Sequence, residues 1–342
     1  MRDVLVPLDI DPSPPPAGSV LETLSGTSMG TSWSARLMRE KTDKGLQGGL
    51  PAALQALLQA ELDQVVAQMS HWEPDSLLSR YNRLPAGSWL ELPPQFFEVI
   101  DYALRVHHDS GGAYDPAAGA LVDLWGFGAA GRYDQAGFYA PAPGAVAALL
   151  ARRATAQPTL DRAGRRLLQP GGAVLDLSAV AKGYAVDRLA LCLEALGVRH
   201  YLVEAGGELR GAGVKGDGQP WWVEIEGVPD TENATQALVA LHGLAVATSG
   251  DYRRHFQHAG QRISHTLDPR SGQPIAHGVA STTVLAPTCM AADALSTALT
   301  VLGPAEGLEF AEQYGVAARF LLRDGSAGLR ELTSSAWRAL LQ

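Results

Sequence analysis

VRHYLVEAGG (198–207), WWVEIEG (221–227) and HGLAVATSG (242–250) are three short apolar runs separated by glycine turns. Runs of this length with β-branched and aromatic residues read as strands, and their close succession suits a mostly antiparallel sheet. Just upstream, AVLDL (173–177) reads as a buried strand and YAVDRLALCLEALG (184–197) as a helix closed by Gly197. Downstream, apolar residues recur at helical spacing over 290–302 and Gly303 supplies a stop; a further helix is expected near 305–314. ARFLLRDGSAGLRELTS then reads as a hairpin.

In the N-terminal half, Thr31, Trp33, Ala35 and Leu37 alternate with Ser32, Ser34 and Arg36, which predicts a strand following a turn. A helix starting near Pro51 carries the stripe Leu54, Leu57, Leu58, Leu62, Val65, Val66 and Met69. HWEPDSLLSRYNRL reads as a loop and short turn. A second helix is expected over 94–109, with Phe97, Ile100 and Leu104 on one face and Gly111-Gly112 ending it. Residues 128–145, rich in Gly, Ala and Pro, predict an irregular excursion. Strands and helices come in mixed order, so the expected class is α+β, with mixed, mostly antiparallel sheets and packed helices. Residues 1–22, with Pro14-Pro15-Pro16, read as a disordered tail outside the fold, leaving 23–342 as one domain or two intimately packed subdomains.

The chain has 342 residues, 46% hydrophobic and 18% charged, with 37 glycines and a net charge of −9. The negative charge and the lack of a basic cluster interleaved with aromatics argue against nucleic acid as a partner. Cys192 and Cys289 lie in apolar helical stretches and read as core residues. The first residues have neither an apolar signal-peptide core nor a lipidation-type cysteine, and no run is long enough to span a membrane. The expectation is a cytoplasmic protein as the chain stands, or a periplasmic one if a leader is missing.

Two short motifs invite functional readings. Gly26-Thr27-Ser28-Met29-Gly30 matches the G-x-S-x-G elbow of serine hydrolases, which would make Ser28 a nucleophile, but a strand-like alternation follows where the elbow needs a helix. Gly211-Ala212-Gly213-Val214-Lys215-Gly216 matches G-x-G-x-x-G, yet it runs into WWVEIEG instead of opening a helix, so it reads as a glycine-rich hairpin.

A different set of residues carries more chemistry. Asp293 and Thr297, four apart on the 290–302 helix, stack a carboxylate and a hydroxyl on one face. Such a hard oxygen pair can hold Mg²⁺; equally, the Asp can answer the helix dipole and the Thr can back-bond to its own turn. Asp176 and Lys182 straddle the small-residue loop 176–183, where a solvated helix cap explains them as well. Tyr114-Asp115-Pro116 and Trp125-Gly126-Phe127 could stack a planar ring or simply form a turn with a core Trp. Thr248-Ser249-Gly250, with Asp251, Arg253 and Arg254 behind it, suits phosphate oxygens or a solvated turn. His265 precedes Asp268-Pro269-Arg270-Ser271-Gly272, itself a good turn.

Taken together and in this order, these motifs resemble the ApbE family, the FAD:protein FMN transferases. The resemblance runs from about Gly26 to Gly303 through Met29-Gly30-Thr31, HWEPDSLLSRYN, AYDPAAGALVDLWGFG, LDLSAVAKGYAVD, EAGGELRGAG, ATSGDYRR, SHTLDPRSG and ADALSTAL. It implies Mg²⁺-dependent transfer of the FMN moiety of FAD to a Thr or Ser hydroxyl of a target protein, with release of AMP. The implied target is a subunit of a Na⁺-pumping or electron-transfer flavoprotein that carries a short acceptor motif. Flavin or adenine contacts are implied at Met29, Trp72, Ala113, Tyr114, Asp115, Asp176 and Lys182, and near Leu267. The Thr248-Ser249-Gly250 turn joins that set. Metal ligands are implied at Asp293, Thr297 and the backbone of Ala179, with Ser296 as a fourth. His265 matches the family's proposed catalytic base. Trp72 stands where Tyr is common, and exported members begin with a signal or lipidated cysteine that is absent here. Mg²⁺-dependent FAD hydrolysis or plain FAD binding is the alternative that shares the same metal site.

Overall fold

Met29 and Gly30 both adopt positive φ, 51° and 73°, and so close a two-residue hairpin between Ser28 and Thr31. This is the backbone that a type I′ turn requires, and glycine at its second position meets the demand without steric cost. No helix follows Ser28, so the hydrolase elbow does not form. The computed structural model describes residues 3–40, 50–130, 132–225, 227–228, 236–252, 254–258, 260–323 and 328–342. Arg253, one of the phosphate candidates, lies outside the described residues.

In chain order the first elements are β1 (Asp3–Leu5), β2 (Ser19–Ser28), β3 (Thr31–Glu40), α1 (Leu50–Met69), α2 (Leu77–Asn82) and β4 (Ser88–Glu91). They are followed by α3 (Pro94–Asp109), α4 (Gly119–Leu124), α5 (Pro143–Arg153), β5 (Thr159–Asp161), β6 (Arg166–Gln169) and α6 (Ala181–Ala195). Next come β7 (Tyr201–Ala205), β8 (Glu208–Ala212), β9 (Trp221–Ile225), β10 (Ala237–Leu241), β11 (Leu244–Gly250), β12 (His255–His258) and β13 (Gln261–Ser264). The last are β14 (Leu267–Asp268), β15 (Gln273–Pro274), β16 (Val279–Ala286), α7 (Cys289–Tyr314), β17 (Ala317–Arg323), β18 (Leu329–Thr333) and α8 (Ser335–Arg338).

An eight-stranded sheet in the order β18-β17-β16-β11-β8-β7-β3-β2 forms the frame, and every pairing in it is antiparallel. Its two faces follow the period-2 rule of strands. On β7, Tyr201, Val203 and Ala205 enter the main core under α1, α3, α6 and α7, while Leu202 enters a second core with Trp221, Val239 and Trp337. The α+β class with mostly antiparallel sheets is therefore what the chain adopts.

Several sequence expectations need correction. The N-terminal tail is not wholly outside the fold: Asp3–Leu5 pairs in parallel with Ala237–Val239, and Leu5 is fully buried in the second core. Val4, Leu5 and Val6 supplied the apolar signal that the proline run obscured. The AVLDL segment joins no ladder; Asn82 stands in for a strand partner, accepting from Leu175 N–H (2.8 Å) and donating to its carbonyl (3.0 Å). The HWEPDSLLSRYNRL stretch contains a helix, α2, capped by Ser76 Oγ accepting from Ser79 N–H at 3.0 Å. Helix α3 spans 94–109 as expected, but its buried face is Phe96, Val99, Ile100, Ala103 and Val106. The G-x-G-x-x-G stretch leaves β8 and turns into β9 without a helix, its ends bridged at Val214 and Pro220. β8 and β9 lie in different sheets, so the hairpin-like turn, closed by Lys215 N–H donating to the Gln219 carbonyl at 2.8 Å, also connects the two sheets. Gly303, by contrast, interrupts the helix as expected: at φ 77° and ψ −173°, just before Pro304, it separates two helical stretches that run on across a kink as α7. A Cβ there would stand 2.9 Å from the His277 ring, so both the dihedral and the space call for glycine.

Candidate functional site

Asp293 sits one turn into α7 with 4% of its surface exposed, and its Oδ2 accepts the backbone N–H of Gly183 at 2.9 Å. The helices come close enough for this bond because residue 183 lacks a side chain. A Cβ there would stand 2.2 Å from the Cys289 carbonyl oxygen. Beside Asp293, two hydroxyls of α7, Ser296 and Thr297, form a chain with Ser249 of β11. Ser296 Oγ donates to the carbonyl of Asp293 (2.9 Å), which uses its only proton. Ser249 must then donate across 2.9 Å to Ser296, and Thr297 across 3.0 Å to Ser249. Proton counting thus leaves the lone pairs of Thr297 Oγ1 for a ligand.

These groups open onto a cavity of about 430 Å³. Among the residues singled out from the sequence, Met29, Ala113, Tyr114, Asp115, Asp176 and Lys182 line it. So do Ala179, Asp293 and Thr297, the β11 residues Thr248, Ser249 and Gly250, and His265 and Leu267. Two do not. Trp72 is 45% exposed and packs its ring 5.0 Å from that of His71, which does line the cavity. Ser296 is fully buried behind Asp293 and Ser249, so its hydroxyl supports the seat from behind.

Lys182 forms an ion pair with Glu208, which is almost completely buried on β8. Glu208 was not singled out from the sequence: nothing local marks the counter-ion of a lysine 26 residues away. His71 was missed beside Trp72; its Nδ1 lies 3.5 Å from Asp176 Oδ1. Asp176 itself is held by the N–H (2.8 Å) and hydroxyl (2.5 Å) of Ser178. Asp115 is clamped from behind: Oδ1 accepts Ala117 N–H at 2.8 Å and Oδ2 accepts from the buried Arg153. Arg153 also donates to the Pro269 carbonyl at 3.0 Å and so ties together two lining residues, Asp115 and Pro269.

The Tyr114 hydroxyl is buried and has no hydrogen-bond partner among the described residues. Burial, followed by the nearby Asp293 charge, holds its phenol well above the usual range, so it is a neutral donor on a residue that lines the cavity. In the same cavity, His265 Nδ1 meets the carbonyl of Arg254 at 2.9 Å. A carbonyl only accepts, so Nδ1 carries the proton and Nε2 the lone pair. Burial pushes the pKa of His265 down to about 4, against the pull of the Arg254 carbonyl, so the ring is a neutral base at physiological pH. Arg254, which also lines the cavity, donates to the Phe127 carbonyl at 3.2 Å.

Among the described residues no group of three or more His, Cys, Asp or Glu side chains is placed to hold a metal. A hard cation such as Mg²⁺ does not need one: it takes one or two carboxylates, neutral oxygens, water and substrate phosphates. The buried Asp293 carboxylate and the proton-free face of Thr297 match that donor set.

The model of the ApbE family matches residues 29–320. The chain belongs to the ApbE family. A relative from Klebsiella pneumoniae named FAD:protein FMN transferase is 35% identical over 332 residues, covering 96% of this chain and 92% of the relative. Another of that name from Haemophilus influenzae is 36% identical over 322 residues, covering 94% and 91%. The crystal structure of the Pseudomonas stutzeri flavinyl transferase ApbE, apo form, is 39% identical with a TM-score of 0.82, covering 94% of this chain and 97% of that one. The flavin transferase ApbE from Vibrio cholerae is 32% identical with a TM-score of 0.82, covering 94% and 100%. In this ApbE-family chain, no helix of the described residues is long and apolar enough to cross a membrane.

Proposed function

We propose that this chain is an FAD:protein FMN transferase whose cavity moves the FMN moiety of FAD onto a Thr or Ser hydroxyl of an acceptor protein and releases AMP. The observation that carries the reading is the sharing of one cavity by Asp293, Thr297 and the neutral base His265. Asp293, Thr297 and the backbone carbonyl of Ala179 would hold Mg²⁺. Neutralisation of the pyrophosphate charge as its P–O bond breaks is the chemistry that Mg²⁺ supplies when bound there.

The chain's own residues do the rest. Tyr114 offers a buried donor, and Lys182 and Arg254 offer charge, to orient FAD with its FMN phosphorus open to in-line attack. His265 Nε2 takes the proton as the acceptor oxygen bonds to phosphorus, and the electron pair of the broken P–O bond leaves with AMP. The acceptor belongs to the class of Na⁺-pumping or electron-transfer flavoprotein subunits. Trp72, at the edge of the cavity beside His71, would reach a flavin ring only from the rim.

The test is direct. The protein is incubated with FAD, Mg²⁺ and a peptide bearing a Thr acceptor motif, and the peptide is weighed. A mass gain of one FMN with stoichiometric AMP supports transfer. AMP with an unmodified peptide makes the protein an FAD pyrophosphatase, and unchanged FAD removes the reading.

A further inference from the structure

Helix α6 grips helix α7 at two points one turn apart. The first is the Gly183 N–H donated to Asp293. At the second, four residues on, the carboxylate of Asp187 accepts the N–H of Cys289 at Oδ1 (2.9 Å) and that of Met290 at Oδ2 (2.8 Å). Those donors belong to the first turn of α7, which has no acceptors of its own, and a carboxylate there meets the positive end of the helix dipole. The next N–H, of Ala291, goes to Thr288 Oγ1 at 3.3 Å.

Asp187 is 5% exposed, and a carboxylate sunk this deep needs charge and donors around it. Arg210 on β8 provides a further bond, from Nη1 to Oδ1 at 2.8 Å. An ordinary cap comes from the residue just before its own helix. This one comes from the helix whose leading end supplies Ala179 and Lys182 to the cavity, and it holds the helix that supplies Asp293 and Thr297. Neither Asp187 nor Arg210 lines the cavity, so any effect on the chemistry passes through the helices.

We infer that Asp187, backed by Arg210, is a positioning residue for the cation seat. It sets the register of α7 on α6 and with it the separation of Ala179 from Asp293 and Thr297. The inference rests on the reading of those oxygens as a Mg²⁺ seat.

The test titrates MgCl₂ into the full-length protein, with and without FAD, and reads the rise in unfolding temperature; Mg²⁺ dependence of FAD consumption is read in parallel. In Asp187→Asn the Mg²⁺ midpoint of both readouts should rise about 10–100-fold, as for other residues that orient metal ligands, with activity recovered at high Mg²⁺. Trp337→Phe, in the separate core with Leu5 and Trp221, should lower the unfolding temperature and leave the Mg²⁺ midpoint in place. An Asp187→Asn protein that melts earlier but keeps the wild-type midpoint overturns the inference. If that variant does not fold, Arg210→Gln keeps the carboxylate and should move the midpoint the same way by less; an unmoved midpoint there overturns it too. A wild-type protein whose stability and FAD consumption ignore Mg²⁺ removes the seat itself, a failure distinct from a seat indifferent to Asp187.

Discussion

The backbone N–H of Gly183 donates to Oδ2 of Asp293 over 2.9 Å, between residues 110 apart in the chain. The bond fixes the rotamer of a buried side chain that lines the cavity. Because the Cys289 carbonyl lies 2.2 Å from where a Cβ at 183 would stand, the bond and the missing side chain are one design. Gly183→Ala should therefore destabilise the protein by about 1–3 kcal/mol through overpacking, and should abolish transfer even where the protein is still folded. Denaturant unfolding and the transfer assay measure the two effects, and an alanine variant with parental stability and activity would contradict the account.

Asp293→Ala and Thr297→Ala remove opposite sides of the same oxygen pair. Each should cost the Mg²⁺-dependent rise in unfolding temperature together with the activity. An Asp293→Ala protein that remained fully active and Mg²⁺-dependent would refute the assignment.

His265→Ala should slow transfer by about 10²–10⁴-fold, the usual cost of losing a general base, while FAD affinity measured by flavin fluorescence changes little. Unaltered transfer would take His265 out of that role.

The pH dependence follows from the same ring. His265 has its pKa pushed from 6.5 down to about 4 in the folded protein. Between those values the unfolded chain binds the extra proton and the folded protein does not, so this site's contribution to stability falls as pH drops from 6.5 toward 4. The acid limb of kcat/KM, which reports the free enzyme, should likewise lie well below pH 6.5. A midpoint at the ordinary histidine value would show that the ring is solvated.

Arg153 is the buried cation that holds Asp115 and the Pro269 carbonyl. Arg153→Met removes the arginine that pairs with the buried Asp115 carboxylate, which typically costs about 3–5 kcal/mol, and it should weaken FAD binding as Asp115 and Pro269 lose their tie. Equilibrium unfolding and a flavin fluorescence titration check both, and parental values in both would show that the tie is dispensable.

Much of the site was legible from residue order. Asp293 and Thr297 stood out by helical spacing, and Asp176, Lys182, Tyr114 and His265 by lying between apolar elements, but each had an equally good structural explanation, and the resemblance of the ordered motifs to the family is what selected them. Trp72 and Ser296 were implied by the resemblance alone; Trp72 is exposed beside the lining residue His71, and Ser296 is buried beside the lining residue Thr297. Glu208, His71 and Arg153 gave no local signal, because a charge partner is defined by the group it meets and not by its own surroundings in the chain.

Local physics was readable wherever the determinants lie within a few residues of each other. Helix α3 begins at a proline and ends before paired glycines, and its bounds follow from those alone. The Met29-Gly30 turn and the Gly303 kink likewise rest on what glycine permits at positive φ. The class of the fold followed from the order and length of the apolar runs. Apposition did not. That Asp187 caps a helix 102 residues downstream, or that Arg210 stands behind it, depends on how the sheet brings α6 and α7 together. The energy that selects that register comes from burial and hydrogen bonding summed over the whole core, and no short stretch of the chain contains it.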